Sequence, residues 1–193
     1  MSSYIEQEII NGCRKHNRAC QEQLYREYYS LFLKMCARYA KNMEDAEQLL
    51  NDGFLRIFKN IESFKNNGSF EGWMKKIIVN TCLDYLKSKQ LKNAMQISYS
   101  AEMPEETNHS LRTEAIRSIE FKELLGIIHT LPAVSRTVFN LYVFEGFSHK
   151  EIAAMLDITD GTSSWHLHHA RSTLQKKIKS INAEQPLYEQ KRV

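Results

Sequence analysis

The chain has 193 residues, of which 42% are hydrophobic and 25% charged, and its formal net charge is +3 at pH 7. With only 7 Gly and 3 Pro, the composition disfavours all-β sandwiches, collagen-like repeats and low-complexity disorder. No apolar run approaches the roughly 20 residues that span a bilayer, and the first residues lack the apolar core of a secretory signal. The four cysteines form no Cys-x-x-Cys pair, so we expect reduced thiols in a cytoplasm.

Apolar residues recur at helical spacing along most of the chain without sustained two-residue alternation, which predicts an all-α fold. In the first half, the spacing predicts helices from Asn17 to Lys41, from about Glu44 to Ile61 and from Phe70 to about Lys89. A polar and acidic stretch containing Pro104 follows, which is typical of a flexible linker.

Helical spacing returns from Glu114 to Ile128, and a further helix is expected to begin at Pro132. The sequence therefore predicts two small helical domains joined by a flexible linker, the second a helix-turn-helix domain. We place the first domain at residues 1–90, the linker at 91–113, the second domain at 114–181 and a tail at 182–193.

The helix-turn-helix pattern is SHKEIAAMLDITDGTSSWHLHHAR. Ser148 suits a helix N-cap, and Glu151 three residues later completes a capping box. The small Ala153 allows two helices to cross closely, and Asp157 stands at the turn, where a residue tolerant of left-handed backbone is needed. The last helix is expected to run from Asp160 to about Ile181.

The last helix has two distinct faces at roughly 100° per residue. Ser163, Leu167, Ala170 and Leu174 form the predicted packing face, and Thr162, Trp165, His169 and Ser172 point away from it. A Trp on an outward face indicates a recognition helix in the major groove; the alternative is a Trp buried against the other domain or a partner. His166, His168 and His169 could be imagined as metal ligands, as could Cys13, His16 and Cys20, but neither set has an evident complete ligand shell.

The helix around Leu49 has a broad predicted core face of Ala46, Leu49, Leu50, Gly53, Phe54, Ile57 and Ile61. Leu55 lies outside this face, among Gln48, Asp52 and Lys59. Single exposed leucines are common, but an apolar anchor ringed by polar groups is also typical of a docking surface.

The helix that begins at Phe70 carries lysines near both ends. Trp73, Ile77 and Tyr85 are predicted to pack, whereas Asn80 and Asp84 share one polar face. Aromatic residues beside cations can stack bases and hold the backbone of a melted strand, so this helix is a candidate for single-strand binding.

Nearly the whole chain, from about Ile9 to Lys179, resembles the extracytoplasmic-function (ECF) sigma factors of bacterial RNA polymerase. LYREYYSLFLKMCARYAKNMEDAEQLLNDGFLRIF and SFEGWMKKIIVNTCLDYLK resemble the two parts of sigma region two. LPAVSRTVFNLYVFEGFSHKEIAAMLDITDGTSSWHLHHAR resembles region four. The order of the motifs, separated by a short acidic linker, makes the resemblance specific.

The resemblance implies a role for each motif: polymerase docking and minus-ten melting for the first domain, and minus-thirty-five recognition for the second. The residues matched to core-polymerase binding are Asp45, Glu47, Gln48, Asp52, Phe54 and Leu55. Those matched to minus-ten DNA are Lys65, Asn66, Asn67, Ser69, Lys76, Asn80 and Asp84, with Trp73 assigned to the core. Those matched to minus-thirty-five DNA are Thr162, Ser164, Trp165, His166, His168, His169 and Arg171.

The partners implied are bacterial RNA polymerase core, promoter DNA and an anti-sigma factor, which in this family is often membrane-bound; we expect no direct membrane insertion. We expect no catalytic residues, cofactor or metal, because no nucleophile set, phosphate-cradling loop or carboxylate pair is evident. A dimeric helix-turn-helix repressor or activator is the alternative, but it would not need the exposed Leu55 or the lysine-flanked helix. A protein-interaction module held by an inhibitor overlaps with the sigma interpretation.

Overall fold

The computed structural model describes residues 3–95 and 119–184. Contacts divide the chain into two units, Met1–Ala115 and Ile116–Val193. Every regular element in the described ranges is helical, which confirms the predicted all-α fold.

Within residues 3–95, the first unit contains four α-helices: α1 (Ser3–Arg14), α2 (Arg18–Ala37), α3 (Met43–Asn60) and α4 (Phe70–Met95). A 3-10 turn, Ile61–Ser63, follows α3. The sequence interpretation did not include α1, although its apolar residues already show helical spacing: Ile9, Ile10 and Cys13 are all buried. Asn17 begins α2 by accepting hydrogen bonds from the backbone N–H groups of Ala19 and Cys20, a standard N-cap.

The core of this unit lies where α3 packs on α2 and α4. All seven residues of the predicted α3 core face are buried. The Phe54 ring centroid lies 4.7 Å from that of Tyr25 and 5.8 Å from that of Phe32, so α3 and α2 are joined by an aromatic cluster.

The predicted packing face of α4 was wrong in detail. Trp73, Ile77 and Tyr85 are only half-buried, because α4 turns the adjacent face of the helix towards α2 and α3. Its buried residues are Met74, Ile78, Val79, Thr81, Cys82 and Leu83.

The α4 helix also continues to Met95, through the first residues assigned to the linker. The segment after Lys89 contains no Gly or Pro before Pro104. It therefore has no helix-breaking residue at the predicted end of the helix. The remainder of the predicted linker lies outside the described residues, as does the tail beyond Glu184.

The second unit contains α5 (Ile119–His129), α6 (Ala133–Phe139), a π-helical segment (Asn140–Phe144), α7 (His149–Leu156) and α8 (Asp160–Glu184). Pro132 stands at the N-cap of α6. The predicted capping box of Ser148 and Glu151 is present, and Asp157 ends α7 at φ 56° in the left-handed region. Helix α8 packs on α6 and α7, with Ser163, Leu167 and Ala170 buried and Leu174 half-buried.

Candidate functional site

The outer face of α3 presents one large apolar side chain among polar ones. Leu55 is 67% exposed, and Gln48 and Asp52 beside it are also exposed. Asp45 and Glu47 are half-buried, and the Asp45 carboxylate accepts a hydrogen bond of 2.6 Å from the Tyr85 hydroxyl on α4. Of the residues matched to docking, Gln48, Asp52 and Leu55 therefore form an exposed strip on α3, and Asp45 near its N-terminal end is hydrogen-bonded to α4.

Phe54 does not belong to that exposed strip. Its side chain is only 2% exposed, because its ring is enclosed by the aromatic cluster of the core. Phe54 therefore supports the helix from within, and the exposed apolar side chain beside it is Leu55.

A cleft of about 560 Å³ separates the outer faces of α3 and α4. Across it, the Arg56 guanidinium lies 2.6 Å from the Asp84 carboxylate. Its other lining residues are Asp45, Gln48, Leu49, Asp52, Thr81, Tyr85 and Ser88.

The loop before α4 is exposed from Lys65 to Ser69. Two of its residues have left-handed backbone, Asn66 at φ 57° and Gly68 at φ 102°, which Asn and Gly tolerate best. The Ser69 hydroxyl accepts a hydrogen bond from the Gly72 N–H, so the loop enters α4 through a cap. This local structure presents polar side chains on a short, defined turn.

Under this loop lies an aromatic cluster of Phe64, Phe70 and Trp73. The Phe70 and Trp73 rings are stacked, with centroids 5.6 Å apart and planes at 14°. Trp73 is half-buried, so it supports the loop from the margin of the core.

Helix α4 carries an exposed polar stripe, since Lys76, Asn80 and Asp84 are each four residues apart and all exposed. It lies on the opposite side of the cleft from the exposed strip of α3. Lys75, beside it, is paired with Glu71 at 2.6 Å. The stripe can offer one cation, one amide and one carboxylate to a strand laid along the helix.

Helix α8 presents a different outward face from the predicted one. Thr162, His169 and Ser172 are half-buried, because α6 covers that side of the helix. Trp165 is 59% exposed, as expected for an outward residue. Between Asp160 and Arg171, the exposed positions of α8 are Asp160, Gly161, Ser164, Trp165, His168 and Arg171.

His169 does not point outward as predicted, because it contacts the buried Ser135 on α6. The Ser135 Oγ lies 3.0 Å from Nδ1 of His166 and 3.4 Å from Nδ1 of His169. The His169 ring in turn stacks on Trp165, with centroids 5.2 Å apart and planes at 11°. Burial, and then the neighbouring His169, lower the pKa of His166.

A second serine-anchored stack lies on the α7 side of α8. The buried Ser163 hydroxyl lies 2.9 Å from Nδ1 of His149, and the His149 ring stacks on Tyr142 at 4.7 Å. The Arg171 guanidinium carbon stands 5.7 Å from the Tyr142 ring centroid, within cation–π range. Arg171 is thereby held at the edge of the exposed face.

Neither suggested metal set assembles in residues 3–95 and 119–184, where no three His, Cys, Asp or Glu side chains come together as metal ligands would. Nor does this part of the chain contain a helix both long and apolar enough to cross a membrane.

Two family models match the two units separately. Residues 24–92 match Sigma-70 region 2, and residues 121–174 match Sigma-70 region 4. Together these ranges contain the exposed strip of α3, the stripe of α4 and the outward face of α8.

Several named relatives match most of the chain. The ECF RNA polymerase sigma factor SigE of Mycolicibacterium smegmatis is 28% identical over 170 residues, covering 84% of this chain and 63% of that relative. The ECF RNA polymerase sigma factor SigW of Bacillus subtilis is 28% identical over 168 residues, covering 80% of this chain and 86% of that relative. This chain thus spans less than two thirds of the first relative and most of the second.

Two solved structures share the fold. The sigma factor RpoE of Bartonella quintana, in complex with the anti-sigma factor NepR, matches with a TM-score of 0.58 and 18% identity, covering 82% of this chain and 96% of that one. CnrH, in complex with the cytosolic domain of CnrY, matches with a TM-score of 0.52 and 16% identity, covering 89% and 96%.

Proposed function

Because the chain belongs to the extracytoplasmic-function group of RNA polymerase sigma factors, we propose that it binds core RNA polymerase and directs promoter-specific initiation of transcription. The first unit docks on the polymerase and opens the minus-ten region, and the second reads the minus-thirty-five duplex. The chain has no chemistry of its own and needs no cofactor or metal; it acts in the cytoplasm, where the polymerase is.

The single observation that carries the proposal is the exposure of Leu55 on a helix face that is otherwise polar. At 67% exposed, most of its side chain lies outside the core beneath it. An apolar anchor surrounded by amides and carboxylates is the composition of a protein interface centre with a polar rim. Polymerase docking supplies the partner that this side chain lacks within its own unit.

The minus-ten surface consists of the loop at Lys65 to Ser69 and the stripe of Lys76, Asn80 and Asp84. All of these residues are exposed, and they lie on elements adjoining the docking helix. A strand held there would be close to the polymerase that opens it. The loop side chains hold an unstacked base, while Asn80 contacts bases of the non-template strand.

The minus-thirty-five surface is the exposed face of α8. Of the residues matched to this role, Ser164, Trp165, His168 and Arg171 are exposed, which supports direct contact with DNA. The half-buried Thr162, His166 and His169 hold the helix and its aromatic side chain in place. Arg171 contacts phosphate, because a guanidinium donates strong hydrogen bonds to phosphate oxygens.

We also propose that an anti-sigma factor holds this chain inactive. Both solved structures with this fold contain a second protein, and one is described as an anti-sigma factor. By occupying the exposed apolar positions, such a partner would compete with polymerase for the same surface.

The experiment that tests the proposed function is reconstitution with core RNA polymerase from the host. Core alone and core with the chain are given fragmented host DNA, and the 5′ ends of the transcripts are sequenced. The proposal predicts initiation at a small set of new sites that share two sequence elements. Starts that are unchanged by the chain would contradict it.

A further inference from the structure

We propose that Trp165 is a specificity-determining residue and that it recognises the 5-methyl group of thymine in the major groove. Ser135 and His169 act as positioning residues that fix its ring. This inference rests on the proposed function, because it assumes that α8 enters duplex DNA.

The exposed face of α8 is unusually apolar at its centre. Trp165 is 59% exposed, and its neighbours on this face are small or short: Gly161, Ser164 and His168. Lys176 and Lys179 lie farther along the helix, and Arg171 stands at the edge of the face beside the Tyr142 ring. In the first turns of α8, the bulkiest exposed side chain is therefore the Trp165 indole.

The indole is held in one orientation by a chain of contacts that starts in the core. Ser135 is 2% exposed on α6, and its hydroxyl lies within hydrogen-bonding distance of both His166 and His169. The His169 ring lies nearly parallel to Trp165 at 11°, and the His166 ring meets it edge-on at 78°. Two imidazoles thus confine the indole from two directions.

The hydrogen atoms of this cluster can all be accommodated with neutral imidazoles. The Ser135 hydroxyl has one hydrogen, which it donates to Nδ1 of His166, the closer of the two rings at 3.0 Å. His169 then donates its Nδ1–H to the same oxygen, which has lone pairs to accept it. The arrangement fixes both rings, so Trp165 loses little side-chain entropy when it contacts DNA.

A fixed, apolar ring favours one base-edge group in the major groove. Side chains that read guanine or adenine there do so with paired donors or acceptors, which an indole lacks. The thymine methyl is the one apolar group that a base presents in this groove. The alternative contact is a hydrogen bond from the indole N–H to a phosphate. The experiment distinguishes this contact from one with the thymine methyl group.

The test uses the full chain with host core polymerase on a promoter found by start-site mapping. Each thymine in the protected upstream duplex is replaced singly by uracil, which lacks only the methyl group. We expect one or two adjacent replacements to weaken wild-type binding about fourfold, the value of one buried methyl-sized group. The penalty should vanish in Trp165→Ala and persist in the control Gln175→Ala, an exposed substitution farther along the same helix.

Variants of Ser135 and His169 test whether these residues position the Trp165 ring. Ser135→Ala should reduce the uracil penalty to less than about twofold, while His169→Phe, which keeps a stacking ring, should retain more of it than His169→Ala. If Trp165→Ala does not fold by circular dichroism, Trp165→Gln replaces it; the native residue is exposed, so its removal leaves no cavity.

Two results would overturn the inference: no uracil penalty at any position in the wild type, or a penalty that survives in Trp165→Ala. A third result would also overturn the inference: Trp165→Ala weakens binding to all duplexes equally and no uracil penalty is seen. The indole would then contact phosphate. A wild-type complex that protects no upstream duplex would instead contradict the proposed function itself.

Discussion

The Arg56 guanidinium on α3 lies 2.6 Å from the Asp84 carboxylate on α4, and both side chains remain about half exposed. The ion pair closes one side of the cleft between the docking helix and the helix assigned to minus-ten DNA. Within the proposed minus-ten surface, the Asp84 carboxylate is therefore shared with Arg56.

Removal of this ion pair should change stability very little, because exposed ion pairs are screened by water. We expect Arg56→Gln to lower the free energy of unfolding by about 0–1 kcal/mol. Urea denaturation would be followed by Trp73 fluorescence in a Trp165→Phe background. Arg26→Gln, which breaks the exposed pair with Glu22, is the matched control, and a loss above about 2 kcal/mol for Arg56→Gln would show that the pair is a core element.

Asn80→Ala should impair promoter opening and leave capture of the upstream duplex intact, because Asn80 and the α8 face lie in different units. Permanganate reactivity of melted thymines measures opening, and nuclease protection of the upstream element measures capture. Ser88→Ala, an exposed substitution two turns farther along α4, is the control. Equal loss of both signals in Asn80→Ala would refute the separation of roles.

The four free thiols should react at very different rates. Cys20 is half-buried, whereas Cys13, Cys36 and Cys82 are buried; the Sγ atoms of the last two lie 4.0 Å apart. Burial, and then the nearby Cys20, raise the pKa of Cys13 to about 11, so at pH 8 it remains a thiol, the unreactive form.

A timed iodoacetamide reaction read by mass spectrometry at pH 8 should therefore modify Cys20 first. All four cysteines should react together in urea. Labelling of Cys13 as fast as Cys20 in the native chain would contradict the packing of α1 on α2.

His166 should titrate below its ordinary value near 6.5, because burial and the adjacent His169 both disfavour the imidazolium. The unfolded chain then takes up this proton at higher pH than the folded one. The neutral form of His166 therefore stabilises the folded state. This stability is lost as the pH falls through about 6.5 towards the pKa of His166 in the folded chain.

Nitrogen-detected NMR of the full chain gives the pKa of His166 directly. His169→Gln should raise the pKa of His166, since His169 is the second of the two causes that lower it. A wild-type pKa at or above about 6.5 would contradict the buried position of this ring.

Much of the fold followed from local patterns. The α3 core face, the capping box at Ser148 and the left-handed Asp157 all depend on residues close in sequence, and all are confirmed. The exposure of Leu55 and Trp165 followed from the same periodicity.

The errors arose where a distant residue decides the outcome. His169 is turned towards α6 by Ser135, which lies 34 positions earlier, and helical spacing on α8 alone carries no information about that contact. Phe54 was matched to docking by family position although the spacing of α3 already placed it on the core face, where it packs against Tyr25 and Phe32. Because α4 packs on both α2 and α3, its apolar residues did not identify a single core face.

The most direct test of the central claim, that the outer face of α3 docks on the polymerase, is the affinity of host core polymerase for Leu55→Asp. The account predicts a loss of about 2–4 kcal/mol, or roughly 30- to 800-fold in Kd, with helicity unchanged because Leu55 is exposed. Phe54→Ala is the matched control: it should cost about 3–5 kcal/mol of stability, since Phe54 is buried. Wild-type affinity in a folded Leu55→Asp chain would contradict the claim.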